Sequence, residues 1–404
     1  MAEGLTLETA LPPDGIAAVE ALGPVEALVV VTALNQARTA PAAVGAAAAG
    51  LARVFAGRKT AVLFVDGGSQ DGSVEAVRDH AVTGAPVPVA CARISGRPGR
   101  GRAVVAGLAA ARHVGARAAG LVEAGLSSFT DDWVEPLLGP VLSGEADYVS
   151  PVYTRAITEG TLTTNLLAPL ARSLFGKRLQ EVLGGCGAVS PTLLDSLAPV
   201  EDWGDEPTGQ GAEMRLLGQA LAGDYAILEV HLGRKQVDPG AAPVDLAQTL
   251  VDSVGPLLRL MERDAAAWQD VRGGAGGTAL GDVRPDRMVR AFHLGLKDLL
   301  PLWEQALSDE TLTQLYPLGL LGAEDFRFPP ALWARVVADF AVAHHERRLP
   351  RDHLLRSLTP LYLGRVAAFV LETQAAFSPR ADEALERVCL AFEAEKPVLS
   401  ARWR

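Results

Sequence analysis

The chain has 404 residues, enough for two or three domains, and a core of matching size is implied by a hydrophobic fraction of 49% against 21% charged. Those proportions exclude global disorder. A net charge of -11 and a sequence pI near 5.2 exclude nonspecific nucleic-acid binding, though not a local basic pocket. The three cysteines, Cys91, Cys186 and Cys389, are too few and too scattered for a disulfide framework or a zinc site. With no basic-then-apolar N-terminal segment, and with apolar stretches broken by charge, Gly or Pro, the expectation is a cytoplasmic protein with no membrane partner.

In chain order, residues 1–24 read as a Pro- and Gly-punctuated extension. The β-branched run Ala27–Val31 predicts a buried strand, followed by the polar loop Leu34–Arg38. Pro41–Phe55 has helical spacing. Thr60–Val65 is a second buried strand, which runs into Asp66-Gly67-Gly68-Ser69-Gln70-Asp71-Gly72-Ser73. Ser73 is placed to cap the following helix, Val74–Ala81. Val87–Ala92 is a third strand, Arg97–Arg102 a basic glycine loop, and Ala103–Val114 a helix. Ala118–Val122 is a fourth strand, and the polar run Glu123–Ser128 is the loop beyond its carboxyl end. The alternation predicts an α/β domain with a mostly parallel sheet. Helices are expected at Trp133–Leu142, Thr161–Phe175, Pro191–Leu197 and Glu213–Leu221, and strands at Asp147–Val152 and Ala226–Val230.

Beyond residue 243 the pattern becomes helical throughout. Amphipathic helices are expected at Asp245–Trp268, Arg287–Leu307, Leu332–Ala343, Tyr362–Ala376 and Glu383–Glu393. The predicted organisation is an extension (1–24), an α/β nucleotide-binding domain (25–243) and an all-α C-terminal lobe (244–404).

In a doubly wound sheet the four polar loops after the first four strands meet at one edge, where such folds hold nucleotides. Asp66 is suited to accept a hydrogen bond from a base or ribose, and Gly67 and its neighbours permit close backbone approach. Arg97, Arg100 and Arg102 are suited to neutralise a diphosphate or an acidic acceptor.

Taken in order, TALN, VDGGSQDGS, RPGRGRA and VEAGLSSFTDDW resemble the motifs of GT-A fold glycosyltransferases. The resemblance is to the glucosylglycerate, mannosylglycerate and glucosyl-3-phosphoglycerate synthases. It continues through YTRAITEGTLTTN, LGGCGAVS, GQGAEMRLL and HLGRKQVDP, and through the helical tail to Trp403. It implies a GT-A domain, family 2-like, followed by a helical lobe. The implied activity is transfer of a hexose from a UDP- or GDP-sugar to a small glycerate-type acceptor, as in compatible-solute synthesis. Anomeric configuration would be retained, through an oxocarbenium-like transition state.

Residue by residue, the resemblance assigns Leu34 and Asn35 to the base, Asp66 and Gly67 to the uracil or ribose loop, and Arg100 and Glu123 to the nucleotide diphosphate region. Glu213 is the carboxylate near the reacting sugar. Arg155, Thr161, Gly184 and Gly185 are assigned to the acceptor. The helical lobe is expected to cover the acceptor site or to form a homodimer.

The same resemblance implies Mg²⁺ or Mn²⁺, yet the chain departs from the metal motif. Its Asp-x-Asp position reads Glu123-Ala124-Gly125, and Val237 stands where a metal-binding His is expected. A third departure is Glu181-Val182-Leu183-Gly184-Gly185-Cys186, which keeps the glycines and lacks the following carboxylate. His231 lies nearby but within the last strand, and reads as structural. No metal ligand set is therefore assigned, and Arg100, Arg234 and Lys235 are fixed cations able to stabilise a leaving diphosphate instead. The alternative reading is a catalytically impaired homologue that binds a nucleotide or a partner on the same scaffold.

Overall fold

The computed structural model describes residues 5–154, 160–177, 179–197, 209–238, 245–271, 285–374 and 379–403. These form two compact units. One comprises Met1–Thr154 with Leu183–Val244, and the other Arg155–Val182 with Asp245–Arg404.

The first unit is built on a seven-stranded sheet: β1 Ala27–Ala33, β2 Thr60–Asp66, β3 Val89–Arg93, β4 Ala118–Glu123, β5 Tyr148–Thr154, β6 Cys186–Val189 and β7 Ile227–Arg234. Their order across the sheet is β3-β2-β1-β4-β6-β5-β7. β6 runs antiparallel to both its neighbours, and every other pairing is parallel. β1 and β2 are buried along their whole length, as strands covered on both faces must be.

Helices cover those faces through small residues. The helix Ala40–Val54 buries Ala43, Val44, Ala47, Ala48 and Leu51, one stripe at helical spacing. The helix Arg100–His113 lies close on β1 at Gly107, where a Cβ would stand 2.4 Å from Val30 Cγ1. The N-terminal extension contributes to this unit. Leu5, Leu7 and Leu11 are buried, the helix Pro13–Glu20 packs beside β3, and Arg112 donates to the Leu5 carbonyl at 3.1 Å.

β6 was not expected from the sequence: its four residues, Cys-Gly-Ala-Val, are too short and too small to show a period. Two seven-residue helices, Asp309–Leu315 and Arg351–Ser357, are likewise too short to show a helical period in the sequence. Thr163–Leu167, expected as α-helix, is a π-helical turn leading into the helix Ala168–Phe175.

The second unit is all helical among the described residues, and this α/β-then-helical architecture is the one the sequence implied. Its core holds Trp268, Trp303 and Trp333, fully buried, each with its indole N–H donated to a backbone carbonyl (Met261, Ser357 and Asn165). Long buried helices also correct one expectation. The stretch Arg351–Thr373 is long and apolar enough to cross a bilayer by length and composition, but 72% of its most apolar 18-residue window is buried in the protein. It carries the buried Arg365, paired with Glu372 at 3.0 Å, as a core helix can and a lipid-facing one does not readily do.

Candidate active site

The four expected loops do follow the carboxyl ends of β1 to β4, and hydrogen bonds lace the first three into one surface. Asn35 adopts a left-handed backbone (φ 57°). Its N–H donates to Ser69 Oγ at 2.8 Å, and its side-chain oxygen accepts from the Gln70 N–H at 2.9 Å. The Gln36 N–H donates to Ser73 Oγ, and the Ala37 N–H to the Asp71 carboxylate, both at 2.9 Å. Gly67 donates to the Ala33 carbonyl and accepts from the Gly99 N–H. A Cβ on Gly67 would lie 2.9 Å from both the Ala33 and Gly99 carbonyl oxygens, so its missing side chain serves loop-on-loop packing. Asn35 is exposed and Leu34 half-buried beside it.

Ser73 does not cap its helix with its side chain. Its hydroxyl donates to Asp71 at 2.5 Å while accepting from Gln36, so it ties the loops of β1 and β2 together. Burial works against the Asp71 charge, yet the bonds from Ser73 and Ala37 hold its carboxyl below the ordinary value.

Asp66 is fully buried, and its carboxylate accepts from the N–H groups of Gly68 and Ser69. Arg93 pairs with it at 3.2 Å and donates to the Ser69 carbonyl. In this arrangement Asp66 presents no surface to a ligand; it shapes the loop, and the half-exposed Arg93 is the charged group that faces outward there. Arg93 went unnoticed in the sequence because it ends an ordinary strand.

The centre of the site is Arg100. It is not a loop residue, as expected, but the first residue of the helix Arg100–His113. Its guanidinium bridges two carboxylates: Glu123, the last residue of β4, at 2.8 Å, and Glu213, in the first turn of the helix Gly211–Ala222, at 2.6 Å. Burial pushes the Glu213 carboxyl above its ordinary value; Arg100 draws it back, Glu123 adds to the rise and Lys235 opposes it.

Lys235 follows the end of β7, with its ammonium 5.1 Å from the centre of the Tyr153 ring. Tyr153 is held in turn by Trp133, at 5.7 Å between ring centres, and by donating its hydroxyl to the Gly184 carbonyl at 2.8 Å. No signal in the sequence marked Tyr153 as part of this support.

Gly184 and Gly185 complete the centre. Pro151 fills the space a Gly184 side chain would need, with a Cβ only 2.2 Å from Pro151 Cγ. Gly185 has φ 78°, a backbone suited to glycine, and its carbonyl accepts from the Glu123 N–H at 2.8 Å. The point where its Cβ would sit is 3.3 Å from Glu123 Oε2 and 3.9 Å from Lys235 Nζ. Thr161 belongs to the helical unit, where its hydroxyl and that of Tyr362 lie 2.6 Å apart. Arg155 lies outside the described residues.

The residues present do not fit a divalent metal. Such an ion takes several oxygen ligands, mostly carboxylates and waters. Here Glu123 and Glu213 already share one guanidinium. Gly125 faces the Gln36 carboxamide, whose Nε2 is 3.1 Å from the position of a Cβ. Val237 is half-exposed and has no donor atom. Its neighbour Asp238 is buried, but paired with Arg38 at 2.6 Å. His231 lies in β7 opposite Val152, on an exposed edge. No group of three or more His, Cys, Asp or Glu is arranged to hold a metal among the described residues.

No known family model matches the sequence, and no curated protein matches it. Solved structures do resemble it. Glucosyl-3-phosphoglycerate synthase from Mycobacterium tuberculosis, in complex with phosphoglyceric acid, is 24% identical over 63% of this chain and 85% of its own, with a TM-score of 0.46. The same enzyme with Mn²⁺, UDP-glucose and phosphoglyceric acid is 23% identical over 61% of this chain and 83% of its own, also at 0.46. A structure described only as a mycobacterial protein is 25% identical over 68% of this chain and 85% of its own, again at 0.46.

Proposed function

We propose that the chain is a glycosyltransferase that binds a nucleotide sugar across the strand-end loops of β1 to β4 and moves its hexose to a small hydroxy acid of the glycerate type. The observation that carries this reading is the meeting of Arg100, Glu123 and Glu213, drawn from three separate strand-and-helix units, at the carboxyl edge of a parallel sheet. Asn35 and Leu34 would meet the base. Asp66 would act through the loop it holds, and Arg93 would stand beside the ribose and phosphates. Arg100 would face the diphosphate, and Glu213 would orient the sugar or the acceptor hydroxyl. In the transfer, the anomeric carbon loses its bond to the phosphate oxygen and gains one to the acceptor oxygen, whose proton passes to the departing phosphate.

Residues 25–243 would form the donor-binding domain and residues 244–404 its helical companion, except that the segment Arg155–Val182 groups with the helical unit. Arg155 and Thr161 are offered as acceptor contacts on the sequence resemblance alone.

The double engagement of Arg100 by carboxylates favours a second reading: a homologue that binds the nucleotide, or a partner, with its chemistry impaired. Thermal unfolding with millimolar UDP-glucose and GDP-hexoses, followed by a donor-hydrolysis and transfer screen with glycerate and 3-phosphoglycerate, separates the two. A bound donor raises the melting temperature, as any native-state ligand does. A shift with turnover is expected. A shift without turnover supports the second reading, and no shift with any nucleotide sugar rejects both the transferase and the nucleotide-binding form of the second reading, leaving a partner.

A further inference from the structure

The failed fit to a divalent cation points to what stands in its place. Each acid of this edge that a metal would need is already matched to a fixed cation of the chain: Glu123 and Glu213 to Arg100, and Asp238 to Arg38. Lys235 adds a second cation at the same centre, its ammonium and the Glu123 carboxylate both lying beside the point a Gly185 Cβ would occupy, and the ammonium held over the Tyr153 ring. We infer that Arg100 and Lys235 replace the divalent cation of this site, so that it receives a diphosphate through a guanidinium and an ammonium and excludes Mg²⁺ and Mn²⁺.

The physical basis is a competition for oxygen atoms. A hard cation needs free carboxylate oxygens at about 2 Å. A guanidinium already bonded to both carboxylates presents its own charge at that point, so a metal must displace it and meet its repulsion. Arg100 is anchored at a helix N-terminus and pinned from two sides, which gives it the preorganisation that makes a fixed charge effective against a developing anion. Lys235 is set by packing too, since Trp133 and Gly184 fix the ring beneath it.

The role given to the diphosphate rests on the glycosyltransferase reading; the exclusion of metal does not, and the experiment separates them. Electron paramagnetic resonance of the full chain with Mn²⁺, without nucleotide, reads metal binding as loss of the free-ion signal. Wild type is expected to leave that signal unchanged. Arg100→Met releases two neighbouring carboxylates and is expected to gain Mn²⁺ binding, and Arg100→Gln, which keeps hydrogen-bonding capacity, serves if Arg100→Met does not fold. Mn²⁺ binding by wild type, or no gain in a folded Arg100 variant, overturns the inference. In parallel, calorimetric UDP affinity is expected to be the same in EDTA and in Mn²⁺, and to fall about tenfold or more in the Arg100 variants, the scale of one lost charge-assisted contact. A tenfold gain with Mn²⁺ in wild type also overturns it. Absence of UDP binding altogether would strike down the glycosyltransferase reading and the diphosphate role, and the resonance result would still decide the metal.

Discussion

The two units bury their charges in different places. In the helical unit three of them lie within helices. Asp339 sits in the middle of Pro330–His345, Arg365 in the middle of Thr359–Gln374, and Arg172 within Ala168–Phe175, all at 3% exposure or less. Each is paired with other groups of the protein. Asp339 accepts from the Ser308 N–H and hydroxyl, from Thr311 and from Arg402. Arg172 pairs with Glu386 at 2.9 Å and Glu393 at 2.7 Å.

In the sheet unit the central charges stand where elements end: Arg100 opens a helix, Glu123 closes a strand and Glu213 sits in a first turn. Their side chains keep 15%, 26% and 19% exposure. A mid-helix charge is enclosed by neighbouring turns and serves to fix packing. A charge at an element's end looks into a loop crevice, where a ligand can reach it unless, as at Asp66, the side chain folds back on its own loop. Function in this molecule is therefore expected from the charges at element ends, and stability from those in mid-helix.

The strongest way to break that contrast is Asp339→Ala. It removes the shared acceptor of four donors at a fully buried position and should cost about 3–5 kcal/mol of stability. Urea denaturation monitored by far-ultraviolet circular dichroism measures it. A loss below about 1 kcal/mol, the range of ordinary surface changes, would show that the mid-helix charges are not structural.

Gly184→Ala tests packing beneath the site. Its Cβ meets a rigid proline ring on β5 rather than a side chain that can swing away. A cost of about 1–3 kcal/mol is expected, the usual range for overpacking. Because the Gly184 carbonyl also holds Tyr153, which supports Lys235, the same variant should weaken UDP binding in calorimetry. Destabilisation with unchanged nucleotide affinity would detach Tyr153 from the site.

The sequence made the outline of this contrast readable and hid its centre. β1, β2 and β4 are continuous apolar runs that only a doubly covered sheet accommodates, and each ends in a polar loop. The four loops could therefore be placed at one edge from alternation alone. Three things were hidden. β6 is short, glycine-bearing and antiparallel, so neither run length nor period betrays it. Asp66 reads as an available acceptor, but whether a loop carboxylate faces ligand or folds back on its own backbone depends on the turn, which the string Asp-Gly-Gly-Ser leaves open. The clamp on Arg100 joins residues 113 positions apart, and charge pairing over that distance has no local signature. The mid-helix charges were hidden likewise, since Arg365 and Asp339 look in sequence like the polar face of an amphipathic helix.

The finest test is one of slope, and it uses one group from each unit. Glu213 titrates above its ordinary 4.5 because burial and then Glu123 outweigh the pull of Arg100. Between 4.5 and that raised value the folded chain holds a proton the unfolded chain has lost, so this group makes stability fall as pH rises through that window. In the helical unit, burial lowers Lys396 from 10.5 to about 8, while its ammonium donates to the carbonyls of Leu174 and Val271. Between about 8 and 10.5 the unfolded chain holds the extra proton, so this group makes stability rise with pH there. Glu213→Gln should flatten the acid slope, cost less than about 1 kcal/mol near neutral pH and depress sugar transfer, as replacing a carboxylate kept for function rather than stability should. Lys396→Met should flatten the alkaline slope and leave nucleotide binding alone. Melting temperatures of both variants against wild type from pH 4 to 10.5 read the two slopes. If Glu213→Gln destabilised the protein as much as Asp339→Ala, the division between element ends and mid-helix positions would fail.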